Sequence, residues 1–218
     1  MPDFYTLTQR KLQDEFDARG LADRVEASIV TDELADHHTD FIAARNMFFL
    51  STVDENGFPS CSYKGGAPGF VRVLNPRALV FPNYDGNGMF MSQGNIDATA
   101  KVGLLFINFE VPQRMRLRGR ARLLREGPMV VSYPGALTVT EITIDKVWLN
   151  CARYVHRMQP KELSSFLPRE DGSYRLAPWK RIDELQDVIT DAEREEAMAL
   201  GLITAEEYAE MEARGAVK

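Results

Sequence analysis

Five arginines at strict period two, Arg114, Arg116, Arg118, Arg120 and Arg122, alternate with Met115, Leu117, Gly119, Ala121 and Leu123. Only an extended chain sends successive side chains to opposite faces. Residues 114–124 therefore read as one long strand, with a cationic face and an inward face. The arginines read as a solvated face paired with some of the 32 acidic residues. A bulge near Gly119 would turn one of them into a site. The run lacks interleaved aromatics, and with the acidic total this argues against single-stranded nucleic acid as a partner.

The same short period recurs upstream. Asn46–Val53 is a compact apolar strand, Asp54-Glu55-Asn56-Gly57 a hairpin turn, and Phe58–Lys64 the returning strand, with Pro59 near its start. Phe70–Leu74 and Ala78–Phe81 form a second hairpin around Asn75-Pro76-Arg77. A polar loop over 83–88 leads into a short helix at Met91–Thr99, followed by a strand at Val102–Phe109 and another over 142–149. About seven strands in hairpins with one inserted helix point to a mostly β protein, an antiparallel barrel rather than a parallel α/β sheet. Helical spacing appears only at the flanks. Residues 6–19 read as a helix ended by Gly20, and 31–45 as a second one capped by Thr31 or Asp32. From 160 onward the chain reads as helical and acidic, over Asp183–Asp187, Asp191–Leu200 and Thr204–Ala213, the last with a Thr204/Glu207 capping box. The expected organisation is one structural unit: a helical extension over 1–45, a barrel over 46–160 and an acidic helical extension over 161–218.

A chain of 218 residues, 44% apolar, suffices for one sizeable core. Its net charge of −6 disfavours duplex nucleic acid, whose phosphates need a basic surface. No apolar run reaches the roughly 18 residues of a membrane helix, and the polar start is no signal peptide, so a soluble, cytoplasmic protein is expected. Cys61 and Cys151 are expected to be reduced, with Cys151 a buried structural thiol. His37 and His38 are adjacent, so they cannot chelate from one helix face, and no metal site is expected. No G-x-G-x-x-G fingerprint follows a strand.

Three segments carry candidate chemistry. On a strand, Ser60, Ser62 and Lys64 share a face, while Cys61 and Tyr63 take the other. Two hydroxyls and an ammonium beside Gly65-Gly66 suit a phosphate or an anionic ring edge; the bland alternative is a polar outer face. Asn87, Ser92 and Asn95 stand among Gly86, Gly88 and Gly94 just before a helix N-terminus, where backbone N–H groups can hold a phosphate. The alternative there is an ordinary loop and cap. Asn150-Cys151-Ala152-Arg153-Tyr154-Val155-His156-Arg157 gathers an amide, a thiol, two arginines, a phenol and an imidazole after the last strand.

The ordered series FFLSTVDENGFPSCSYKGGAPGFVRV, ALVFPNYDGNGMFMSQGNI, VGLLFINFE, RMRLRGRARLL and NCARYVHR resembles the split β-barrel flavoproteins related to pyridoxamine 5'-phosphate oxidase, from about Asp40 to Arg157. The resemblance implies an FMN-binding split barrel that forms a homodimer with flavin mononucleotide at the subunit interface. It implies that Ser62, Tyr63, Lys64 and Gly65, with Pro82 and Asn83, lie along the ribityl chain and ring. Asn87 and its loop, which Ser92 follows, would lie near the phosphate. Arg114 would reach the flavin from the partner, and Asn150 and Arg153 would be offered across the dimer. The sequence departs from the family in three places. Gly88-Met89 replaces an Arg-Lys pair for the phosphate, Ser62 replaces an arginine, and the tail reads WKRIDELQDVITD without the Arg-Leu-His motif. Vitamin B6 oxidation is therefore not expected, and Lys64, Arg72 and backbone N–H groups are left to hold the phosphate. The implied activity is a flavin-dependent oxidoreductase acting on a small substrate or a nicotinamide donor. The alternative is a non-catalytic module binding flavin, deazaflavin or haem.

Overall fold

The computed structural model describes residues 3–216, so the first two residues of the polar start lie outside it. The long alternating run is a strand, β6 (Gln113–Leu124), at the centre of one antiparallel sheet. The other strands are β1 (Met47–Val53), β2 (Pro59–Gly65), β3 (Arg72–Asn75), β4 (Ala78–Tyr84), β5 (Lys101–Asn108) and β7 (Ala136–Asn150). Their order across the sheet is β2-β1-β5-β6-β7-β4-β3. The last strand begins earlier than the expected 142: residues 136–141 extend β7 and pair with β4 and β6.

The sheet rolls on itself. Phe48 of β1 and Phe81 of β4 are separated by three intervening strands, yet their rings meet edge to face at 5.0 Å. Phe106 of β5 lies 5.1 Å from the same Phe48 ring. Phe48, Phe81, Phe106, Leu50, Met115 and Ile142 are fully buried and form the barrel core. Among the described residues no ladder joins β2 to β3, so the barrel stays split along that seam. The first hairpin closes as its sequence implies: Gly57 takes φ 88°, and the Asp54 carboxylate accepts from the Asn56 and Phe58 amides at 2.9 and 2.8 Å.

The expected bulge sits beside Gly119. Register shifts between Arg118 and Gly119, leaving Asp145 of β7 unpaired in the ladder. A Cβ at Gly119 would collide with the Thr143 carbonyl oxygen, which explains the glycine. The bulge does not make an arginine into a ligand site. It turns Asp145 toward Arg118, whose Nε donates to it at 2.7 Å. Arg122 pairs with Glu141 at 2.9 Å, in line with a solvated, acid-paired face.

The helical flanks differ from expectation. Residues 6–19 form only α1 (Leu7–Glu15); the chain then turns at Asp17, φ 51°, and restarts as α2 (Arg19–Ile29). Arg19 ties the two together by donating to the Arg10 carbonyl and the Asp14 carboxylate. Gly20 sits in the first turn of α2, where it costs about 1 kcal/mol but terminates nothing. The next helix, α3, spans Asp36–Ala43 rather than 31–45. Thr31 is taken by a bridge to Val147, and Asp32 by an ion pair to Arg77 at 2.7 Å, so neither caps it. Buried His38 serves instead, its Nδ1 accepting from the Ala35 amide at 3.1 Å.

α4 (Met91–Thr99) forms as expected, and the short α5 (Pro128–Val131) precedes β7. Residues 151–177 contain no regular element, contrary to a helical reading from 160. Pro160 and Pro168 supply no N–H to a helix there. The expected helix Asp183–Asp187 is a single 3-10 turn, Asp183–Leu185, preceded by another at Pro178–Arg181. α6 (Asp191–Leu200) and α7 (Ala205–Ala213) carry capping boxes on Thr190 and Thr204. No described helix is long and apolar enough to cross a membrane.

Candidate functional site

β2, the end of β4 and the N-terminus of α4 enclose a cavity of about 420 Å³. Alternation on β2 tucks Ser60, Ser62 and Lys64 inward and leaves Cys61 and Tyr63 exposed, as their spacing implies. Ser62, Tyr63, Lys64, Gly65, Pro82, Asn83, Asn87 and Ser92 all line the cavity. The sequence therefore brings eight of its candidates to one place. The Ser62 and Ser92 hydroxyls sit 3.1 Å apart and link β2 to α4. Asn83 is buried, and its Nδ2 donates to Thr138 and Thr140 at 3.0 and 2.9 Å. These bonds fix the carboxamide and leave its oxygen as an acceptor. Asn87 braces its own loop, its Oδ1 accepting from the Met89 amide at 3.2 Å.

The electrostatics favour an anion. Among the described residues Lys64 is the only cation lining the cavity, and burial pushes its ammonium below the usual lysine range. No carboxylate pairs with it among the described residues. Asp85, the one carboxylate that the described residues bring to the lining, is already bound to Lys180 at 2.5 Å. α4 begins at Met91 with no side-chain cap, behind Phe90 at φ 48°. Its first N–H groups have no intrahelical partner and carry the positive end of the helix dipole. Met89, Phe90 and Met91 form an exposed apolar lip beside them.

Four candidates are not brought into this cavity. Arg72 is exposed and spent elsewhere: it donates to the Ser132 hydroxyl and carbonyl at 2.7 and 2.9 Å and lies 3.7 Å over the Tyr133 ring. With Tyr133 and Tyr84 it lines a separate hollow of about 210 Å³. Arg114 pairs with Asn150 across β6 and β7, and its Nε donates to the Cys151 carbonyl at 3.0 Å. Asn150 retains a buried side-chain oxygen without a partner, while Arg153 is exposed. Cys151, expected to be buried, is exposed because the chain leaves the sheet after Asn150. Cys61 is also a free, exposed thiol. The His37 and His38 rings meet at a tilt with centroids 4.0 Å apart, with His38 committed to its helix cap.

Lys180 escaped the sequence reading. It is 6% exposed and binds both Asp85 and Glu193. Asp85 stands 95 residues away, so no local period or spacing marks the pair. Burial opposes the ammonium, but the two carboxylates outweigh it and raise its pKa. Burial likewise opposes ionisation of Glu193, yet Lys180 and Thr190 hold its carboxyl at about 2.

Among solved structures the chain is similar to HupZ of Group A Streptococcus, at 16% identity and TM-score 0.46, covering 58% of this chain and 99% of that one. It is similar to HutZ, the heme storage protein of Vibrio cholerae, at 14% identity and TM-score 0.41, covering 53% and 94%. It is also similar to an FMN-binding protein of Syntrophomonas wolfei, at 14% identity and TM-score 0.36, covering 65% and 94%. No curated protein matches its sequence. The family model for pyridoxamine 5'-phosphate oxidase matches residues 34–151, more than half of the 218. That span runs from just before α3 to the end of β7, takes in every strand and every residue lining the β2–β4–α4 cavity, and places the chain in the pyridoxamine 5'-phosphate oxidase family.

Proposed function

We propose that this chain binds flavin mononucleotide in the β2–β4–α4 cavity and acts as a flavin-dependent oxidoreductase on a small substrate. The observation that carries the reading is Lys64, a half-buried ammonium with no carboxylate partner among the described residues, facing a cavity that also presents hydroxyls, amides and an uncapped helix end, and whose one carboxylate, Asp85, is bound to Lys180. The cavity volume falls within the roughly 300–1,000 Å³ of small-ligand sites. The donor set fits a phosphorylated, planar cofactor: one cation, the first N–H groups of α4 and the Ser62/Ser92 pair. The bound flavin would supply hydride chemistry at its ring.

The residues of the chain divide the remaining work. Lys64 offsets the anionic charge, and α4 adds its dipole without adding a side chain. Asn83, held by two threonines, offers a fixed acceptor to a ring N–H. Met89, Phe90 and Met91 exclude water at the lip. Arg114, Asn150 and Arg153 belong to a second copy's cavity in this reading, and the unpartnered Asn150 oxygen supports that assignment. The organisation as one unit, with helical extensions over 1–45 and 161–218 flanking a barrel over 46–160, is part of the same proposal, as is a cytoplasmic homodimer.

A second reading, flavin binding without turnover, is favoured by the scarcity of free carboxylates and imidazoles at the cavity. Among the described residues the cavity's one carboxylate is bound by Lys180 and no histidine lines it, so neither a free carboxylate nor an imidazole stands there as acid or base. The absorbance spectrum of the protein as isolated, followed by addition of a reduced nicotinamide, tests both. A flavin spectrum that bleaches supports the oxidoreductase. A flavin spectrum that persists supports the module, and a colourless protein that takes up no added flavin mononucleotide overturns both.

A further inference from the structure

Behind the loop 84–87 lies a second cavity of about 380 Å³. It shares Tyr84, Asp85, Gly86 and Asn87 with the first cavity, so the two are contiguous across one loop. Its other walls come from 166–180, the segment that lies beyond the family match. Four aromatic side chains line it. Tyr84 ends β4, Phe166 and Tyr174 stand on either side of a turn closed by the Arg169 amide on the Ser173 carbonyl, and Trp179 lies in the 3-10 turn that follows.

Among the described residues none of these four rings meets another aromatic ring. Their ring faces meet only cations: Arg175 lies 5.8 Å from the Phe166 centroid, and the Lys180 ammonium 5.5 Å from that of Trp179. Aromatic side chains that gather in a fold settle offset or edge to face, and each such pair is favourable beyond the area it buries. Phe48, Phe81 and Phe106 do so at the barrel centre. The four rings of the second cavity are instead held apart around one space.

We propose that this second cavity binds a small molecule through an uncharged, flat aromatic ring. An inserted ring makes the offset and edge-on contacts that the four walls do not make with one another. The charges around the cavity select no ion. Lys180 faces two carboxylates, Asp85 and Glu193, and Arg175 is exposed to water. Two cations and two carboxylates sum to zero, so an entering ion would lose hydration without a net opposite charge to replace it. A cation is disfavoured further, because Arg175 and Lys180 already lie over two of the rings. An aliphatic ligand of the same size would bury similar apolar area but forgo the ring contacts.

The Lys180 network braces these walls. Lys180 joins Asp85, on the loop between the two cavities, to Glu193 of α6. The loop and the end of the 166–180 segment are thereby fixed to each other by the chain's own charges. Preorganisation of this kind removes part of the ordering cost of binding.

The inference stands without the flavin reading, and its test separates the two. The chain has two tryptophans, so Trp148→Phe leaves Trp179 as the sole indole reporter. Four probes are titrated into the full-length protein, with and without saturating flavin mononucleotide: benzamide, neutral and flat; cyclohexanecarboxamide, neutral and puckered; benzoate, an anion; and benzamidine, a cation. Saturable quenching of Trp179 by benzamide is expected. Calorimetry on the wild-type protein measures all four affinities without the Trp148 substitution. Cyclohexanecarboxamide is expected to bind about two- to tenfold more weakly than benzamide, the worth of one aromatic pair. Neither ion is expected to bind more tightly than benzamide. Phe166→Leu and Tyr174→Leu, which remove a ring and keep an apolar side chain, are each expected to weaken benzamide by the same factor and cyclohexanecarboxamide by less. No saturable benzamide binding, equal affinity for the puckered probe, tighter binding of either ion, or unchanged benzamide affinity in both variants overturns the proposal. Loss of benzamide binding under saturating flavin mononucleotide also overturns it, since the ring would then share the flavin's site. Flavin uptake is read separately from the flavin absorbance, so a protein that binds benzamide but no flavin refutes the proposed function and leaves this site intact.

Discussion

Replacing Lys180 with methionine removes the ammonium while keeping most of the side-chain volume. The structure sets the magnitude. Only 7% of the Lys180 side chain is exposed, against 29% for Asp85 and 22% for Glu193. Removing one partner of a fully buried pair costs about 3–5 kcal/mol, because a charge is stranded; an exposed pair contributes about 0–1 kcal/mol. The two carboxylates here keep a quarter or so of their exposure, so water relieves part of the penalty. They are also left facing each other without the cation between them. The expected loss is about 2–3 kcal/mol, between those limits. With a urea slope of about 1–3 kcal/mol/M, the unfolding midpoint moves down by about 0.7–3 M. Because the network joins the 84–88 loop to the C-terminal segment, limited proteolysis should also find new cuts within 151–177. Asp85→Asn in the Lys180→Met background should recover part of the loss, since one stranded charge goes with it. A single-variant loss below about 0.5 kcal/mol, with unchanged proteolysis, would refute the reasoning by showing that the network behaves as a surface pair.

Lys64→Ala should weaken flavin mononucleotide binding by about 1.5–3 kcal/mol, the range for a charged hydrogen bond, as read by equilibrium dialysis. Flavin affinity in the wild type should also fall on the alkaline side before the ordinary lysine value of about 10.4 is reached, because burial has lowered the Lys64 pKa; a pH titration of binding checks it. Phe48→Ala should destabilise the fold by about 3–5 kcal/mol, since Phe48 joins β1 to β4 and β5 at the barrel centre; urea denaturation measures it. Glu193 has a folded pKa of about 2, below the ordinary glutamate value. Its stabilising contribution is present above about pH 4.3 and is lost as the pH falls toward about 2. Acid-induced exposure of the C-terminal segment, followed by Trp179 fluorescence in Trp148→Phe, should track that window and vanish in Glu193→Gln.

The barrel was legible because its signals are local. Period two in 114–124, the Asp54–Gly57 turn and the glycine beside the bulge each act within a few residues of where they are read. The first cavity was half legible for the same reason. Alternation put Ser60, Ser62 and Lys64 on one face, and the resemblance, not the spacing, joined that face to Asn83 and Asn87. What stayed hidden depended on distant partners. Arg72 looked like a phosphate ligand, but Ser132 and Tyr133 claim it from 60 residues away. Lys180 looked like one more charge in a charged tail until the fold set it against Asp85. Thr31 looked like a helix cap, but its backbone is held by the bridge to Val147 and its hydroxyl donates to the Glu33 carbonyl, five residues ahead of the helix that begins at Asp36. Gly20 misled in the other direction, since a helix tolerates glycine in its first turn when tertiary contacts hold the hairpin.

The seam of the barrel has a bearing on how the chain meets copies of itself. Both rims of the sheet are poor templates for another strand. β3 is four residues long with an irregular register against β4, and β2 opens on Pro59, which has no amide to donate. Both features work against a continuous ladder into a neighbouring molecule. In the proposed homodimer the copies would then meet through side-chain surfaces, leaving the cleft beside β2 free to be walled by what the second copy brings to it.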